Sequence, residues 1–109
     1  MFWPAWQVEY GNPRAQFLAQ DVAKLGSPYV HSKITVKGTV KRVDLHDPKG
    51  PMVYLNDGVR CNFGRLERMA ESCTVGQEVL LDGYLRHCHQ DDVLLNPTVL
   101  TSRPFMPKH

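Results

Sequence analysis

Between Ile34 and Leu100 the chain carries five short runs in which apolar and polar residues alternate, and one short helical pattern falls between the third run and the fourth. That order predicts a mainly β fold, a small five-stranded Greek-key barrel with a helix inserted between strands 3 and 4. Such a scaffold hosts many unrelated activities, so function has to be read from the residues its strands turn outward.

In the first run, residues 33–43, Ile34, Val36 and Val40 alternate with Thr35, Lys37, Thr39 and Lys41, giving an apolar face and a polar, cationic one. Gly38 falls on the apolar parity, where a strand shared by both halves of a barrel has to bend. Runs two and three, residues 52–55 and 59–63, are joined by Asn56-Asp57-Gly58. A two-residue turn would pair Leu55 with Arg60 and bury a guanidinium. A three-residue loop pairs Tyr54 with Arg60 and Val53 with Cys61, and is expected as a type I turn with Gly58 left-handed. Residues 64–73 follow, with Leu66, Met69, Ala70 and Cys73 on one helical face. Strand four begins near Val79, and strand five covers residues 93–100, with Pro97 at an edge or bulge position.

Ahead of the barrel, Asn12-Pro13 can cap a helix, and Ala15, Leu18, Ala19, Val22 and Leu25 recur at helical spacing up to Gly26. An N-terminal α-helix over residues 13–25 is therefore expected. The chain divides into an aromatic N-terminal segment and helix packed on the barrel (1–30), the barrel (31–101) and an extended tail (102–109). The large rings of the first segment, Trp3, Trp6, Tyr10 and Phe17, are expected to fold back over Leu80 and Leu94.

At 109 residues the chain has enough core to fold without metal or disulfide staples. Thirteen Lys and Arg against eleven Asp and Glu give a net charge of +2, so any polyanion site is a local patch. Three cysteines without CxxC spacing point to a reducing, cytoplasmic setting, and no apolar run approaches membrane-spanning length.

Several segments together resemble the oligonucleotide/oligosaccharide-binding (OB) fold family described as similar to the tRNA-anticodon-binding domain. They are Tyr29-Val30-His31-Ser32-Lys33 leading into Ile34-Thr35-Val36-Lys37-Gly38-Thr39-Val40, then Val59-Arg60-Cys61-Asn62-Phe63, then Val75-Gly76-Gln77-Glu78-Val79 with Leu81-Asp82-Gly83, and the closing 95–100 strand. The resemblance covers about residues 12–100 and implies nucleic-acid binding, with no catalytic residues to carry over. OB barrels bind on the outer face of strands two and three and the neighbouring loops. Here that face is expected to gather Lys37, Thr39, Lys41, Met52, Tyr54, Arg60, Asn62 and Arg86 around single-stranded RNA or DNA, rings stacking on bases and cations following phosphates. The bland alternative makes Tyr54 and Arg60 a cross-strand pair on a solvated face.

The segments 44–50 and 86–92 are read as rim loops of mixed charge, which suit a neutral or basic protein partner as well as a polyanion. A protein-interaction or assembly domain, using those loops or the aromatic N-terminus, is the competing function. His87, Cys88 and His89, with His46 or Asp47 across the rim, supply zinc-type ligands, but adjacent residues do not all face one ion and the spacing matches no established motif. No metal or cofactor is expected. Cys61 and Cys73 fall on core parity, Ser72 and Ser102 have no base, and no phosphate loop is present, so the chain reads as non-enzymatic.

Overall fold

A computed structural model describes residues 12–107. The strands are β1 (Ala15–Leu18), β2 (Lys33–Asp44), β3 (Met52–Leu55), β4 (Val59–Asn62), β5 (Glu78–His89) and β6 (Asp92–Leu100); the helices are α1 (Ala19–Leu25) and α2 (Glu67–Glu71). Five strands close into a barrel because β2 serves twice. Its first half pairs antiparallel with β5, from Lys33 with Tyr84 to Thr39 with Glu78. Its second half pairs with β3, Val40 with Leu55 and Val43 with Val53. A parallel β4–β6 ladder and an antiparallel β5–β6 ladder complete the circuit. This is an OB-type barrel, as the strand order predicts.

Inward-facing residues of alternate parity fill it: Ile34, Val36, Val40, Val53, Leu55, Val59, Cys61, Leu81, Leu85, Val93 and Leu95 are all buried. Helix α2 is shorter than its pattern, yet it turns the expected residues inward, with Ala70 and Cys73 buried and Leu66 and Met69 packed against the core. Burial pushes the Cys61 and Cys73 thiols upward, away from the thiolate a nucleophile needs. No helix among the described residues is long and apolar enough to cross a membrane.

The β3–β4 hairpin has the register that parity demands, Tyr54 opposite Arg60 and Val53 opposite Cys61, around a three-residue loop. The turn itself differs from expectation, because Asp57 (φ 60°) is left-handed as well as Gly58 (φ 75°). Side-chain bonds hold it: Asn56 accepts from the Thr39 N–H at 2.9 Å and donates to the Asp57 carboxylate. A Cβ on Gly58 would stand 2.3 Å from the Asp91 carbonyl oxygen in the β5–β6 turn. Gly58→Ala is therefore expected to cost about 2–3 kcal/mol, from the disfavoured φ and the forced separation of two turns; a thermal melt equal to wild type would contradict this contact. Gly38 likewise has a tight neighbour, since a Cβ there would lie 2.8 Å from the Ala19 Cβ. It admits α1 against the barrel wall.

The expected 13–25 helix is corrected. Residues 15–18 form β1, parallel to β2 with Ala15 opposite Ile34 and Phe17 opposite Val36, and only residues 19–25 are helical. Asn12 caps nothing; the residue before the helix is Leu18, in extended conformation. The reason is Phe17, fully buried with Ala15 on one side of the strand while Gln16 and Leu18 are half-buried: a period of two met by core packing. Trp3, Trp6 and Tyr10 lie outside the described residues; Leu80 and Leu94 are half-buried.

The outer side of β2 is not uniformly solvated as its alternation suggests. Thr35 and Asp82 are wholly buried, and Lys33 nearly so. The Thr35 hydroxyl donates to Asp82, Lys33 Nζ lies 3.6 Å from the same carboxylate, and Arg103 of the tail donates to it through Nε at 2.9 Å and Nη2 at 2.6 Å. Burial lowers the Lys33 ammonium from its ordinary range, although Asp82 pulls it back.

Candidate functional site

The face of β3 and β4 opposite the core holds the residues best placed to meet a ligand. At its centre is the half-buried Tyr54 ring, and the guanidinium over it, 4.1 Å from the centroid, belongs to Arg42. Strict alternation would turn Arg42 inward. A register shift between Val40 and Arg42 brings it outside, opposite Tyr54, and returns Val43 to the core side. Beside this stack runs a groove of about 630 Å³, lined by Asp47 and Lys49 from the β2–β3 loop, Met52, Arg60 and Asn62, and by Leu94 and Asn96 of β6.

The expected site residues separate into groups. Tyr54 and Arg60 stand side by side as the register requires, and Lys41 is exposed at the β2 irregularity. Met52 and Asn62 are almost fully buried and form the floor. Asn62 is engaged internally, donating to the Lys49 carbonyl at 3.0 Å and accepting from the Gly64 N–H at 2.8 Å. Lys37 and Thr39 belong to the half of β2 paired with β5, and the Thr39 N–H is tied to Asn56 in the β3–β4 turn. Lys37 ion-pairs with Glu78 at 3.4 Å, and the Phe105 ring of the tail lies 5.5 Å from its ammonium. Arg86 is held by its Nε donating to the Asn96 carbonyl at 2.7 Å and does not line the groove.

Electrostatics divide the face. Arg60 ion-pairs with Asp92 at 2.6 Å. Partial loss of water pulls the Asp92 carboxyl upward, but the Arg60 bond and charge, joined by His87, hold it below its usual range. Among the described residues no carboxylate ion-pairs with Arg42, Lys41 or Lys49, so those cations stay available. The carboxylates at the end of β2 and in the loop after it act locally instead: Asp44 accepts from the His46 N–H at 3.0 Å and Asp47 from the Lys49 N–H at 2.9 Å.

The second rim loop is a correction. Residues 86–89 continue β5, and β6 begins at Asp92, leaving Gln90 and Asp91 as the turn. Strand alternation splits the His87, Cys88 and His89 set. The two imidazoles meet edge to face at 4.3 Å, while the Cys88 thiol donates to the Val22 carbonyl of α1 at 3.3 Å. His87 Nε2 lies 3.0 Å from Asp92. Reading the sequence missed Arg42, Asp92, Lys49 and Asn96; Arg42 alone carried a signal, as a cation breaking the apolar parity of β2.

No family model matches the chain, and no curated protein matches it. Among solved structures it is similar to one from Klebsiella pneumoniae subsp. pneumoniae MGH 78578, named "putative nucleic acid-binding lipoprotein". The TM-score is 0.58 at 17% identity, over 73% of this chain and 78% of that one. At that identity the likeness shows the shared barrel.

Proposed function

We propose that this protein is a non-enzymatic OB module that binds single-stranded RNA or DNA on the β3–β4 face, with kinship to the tRNA-anticodon-binding-like OB proteins and a place in the cytoplasm. The observation that carries the reading is the Tyr54 ring stacked with Arg42 beside an open groove, on the face OB barrels use for oligonucleotides. The words "nucleic acid-binding" in the Klebsiella neighbour's name agree with the ligand class, while "lipoprotein" lends no support to the cytoplasmic placement. Free Cys61, Cys73 and Cys88 suit a reducing compartment.

The test is fluorescence anisotropy of labelled oligonucleotides at low and moderate salt. Binding should weaken steeply with salt, since Arg42, Lys41 and Lys49 act through phosphate. Tyr54→Ala with Arg42→Ala should weaken it by about five- to 150-fold, the range of about 1–3 kcal/mol per stacked base. Unchanged affinity in that double variant, or no binding at low salt, would refute the assignment. A second reading, a protein-assembly domain, draws on the groove beside α1, where Asp21, Asp57 and Asp91 converge and would favour a basic partner.

A further inference from the structure

Arg60, the cation nearest Tyr54 on β4, does not act alone. Asp92 lies between the Arg60 guanidinium and the His87 imidazole, with Oδ1 2.6 Å from the guanidinium and Oδ2 3.0 Å from His87 Nε2. All three are partly open to solvent, at 35%, 47% and 41% of their side-chain surface, so a proton and a ligand can both reach them. Three strands bring the cluster together: Arg60 from β4, Asp92 from β6, and His87 with its ring neighbour His89 from β5. The ionisable groups that touch His87 among the described residues are Asp92 and His89, and Arg60 reaches it through Asp92. Asp91, in the adjoining turn, lines the groove beside α1 with Asp57 and Asp21.

Building on the nucleic-acid reading of this face, we propose that His87 and Asp92 make its affinity for phosphate rise as pH falls. With His87 neutral, Arg60 and Asp92 cancel and the cluster offers a phosphate no net charge. When His87 takes a proton, one carboxylate answers two cations, and the cluster gains a full positive charge at the margin of the groove. Histidine is the side chain that makes this change between about pH 5 and pH 8. Linkage requires the converse: an oligonucleotide bound near neutral pH draws a proton onto the protein.

The experiment follows binding of labelled oligothymidylate to the full chain at constant ionic strength, at about pH 5.5 and about pH 8. Wild type should bind about three- to fivefold tighter at the lower pH, the effect of one extra charge at contact distance in water. His87→Gln should keep the affinity measured at high pH and lose the rise. Asp92→Asn should bind more tightly than wild type at high pH, because the anion beside Arg60 is gone. Calorimetry in buffers of different ionisation enthalpy should show proton uptake for wild type and less for His87→Gln. Binding equally tight at both pH values would overturn the inference while leaving the face reading intact, as would a His87→Gln variant that retains the full rise. Absence of binding at every pH would instead overturn the face reading on which the inference rests.

Discussion

Asp82→Ala should lower the stability of the domain by about 3–5 kcal/mol, the cost typical of breaking a buried ion-paired network by removing one member. Asp82 is wholly buried and is the acceptor shared by the Thr35 hydroxyl, the Lys33 ammonium and the Arg103 guanidinium. Truncating it takes the counter-charge from two cations, one of them 5% exposed. Asp82→Asn keeps an oxygen for Thr35 but not the charge, and should cost less. The measurement is the urea midpoint of each variant with Arg103→Ala as the partner in a double-mutant cycle. A coupling energy near zero would mean that the tail rests on the barrel without holding it. A total loss below about 1 kcal/mol would place Asp82 among ordinary surface carboxylates, contrary to its burial.

Phe17→Ala should cost a similar amount, about 3–5 kcal/mol, for a different reason. Phe17 has no exposed surface, packs in the barrel core, and meets the Tyr29 ring edge to face at 5.7 Å. Its removal leaves a cavity between β1 and the wall that a four-residue strand cannot close by itself. The neighbouring Gln16→Ala, which alters a half-buried position, should cost less than about 1 kcal/mol. Comparing the two unfolding curves separates a strand with alternating sides from a helix. Were residues 13–25 helical, Phe17 would lie opposite the apolar face formed by Ala15, Leu18, Ala19 and Val22, and its truncation would cost little.

The barrel was legible because each wall strand repeats its apolar residues every second position and is bounded by glycine, proline or Asx residues. Parity alone was enough to set the β3–β4 register. Several features escaped, each for a physical reason. Ala15, Leu18, Ala19 and Val22 satisfy a helical period as well as Ala15, Phe17 and Ala19 satisfy a strand period, and only the space beside β2 decides between them. Arg42 was hidden because one irregular residue pair resets the parity of β2 after Val40. Thr35 and Asp82 read as solvent-facing because a polar residue on a strand usually is; the partner that lets them be buried is Arg103, twenty-one residues beyond Asp82. Of the candidate site, the Tyr54 and Arg60 pair was readable from alternation, whereas the partners that set their charge, Arg42 and Asp92, came from a bulge and from a parallel strand neighbour. The 86–92 end of the β5–β6 ribbon reads as a loop because His, Gln and Asp are poor strand formers. Its backbone ladder and the packing of Cys88 on α1 overrule that preference.

The position of β1 has a consequence for how copies of this protein meet. The five wall strands close on themselves, so β1 is the outermost strand of the sheet, the place where a foreign strand would most readily add. It is four residues long, and Gln16 at its middle accepts from the Met106 N–H at 2.6 Å and donates to the Pro104 carbonyl at 3.4 Å. Short length and a proline-bearing neighbour make a poor template for cross-β growth, so the fold guards itself against aggregation at the edge that its parallel first strand creates.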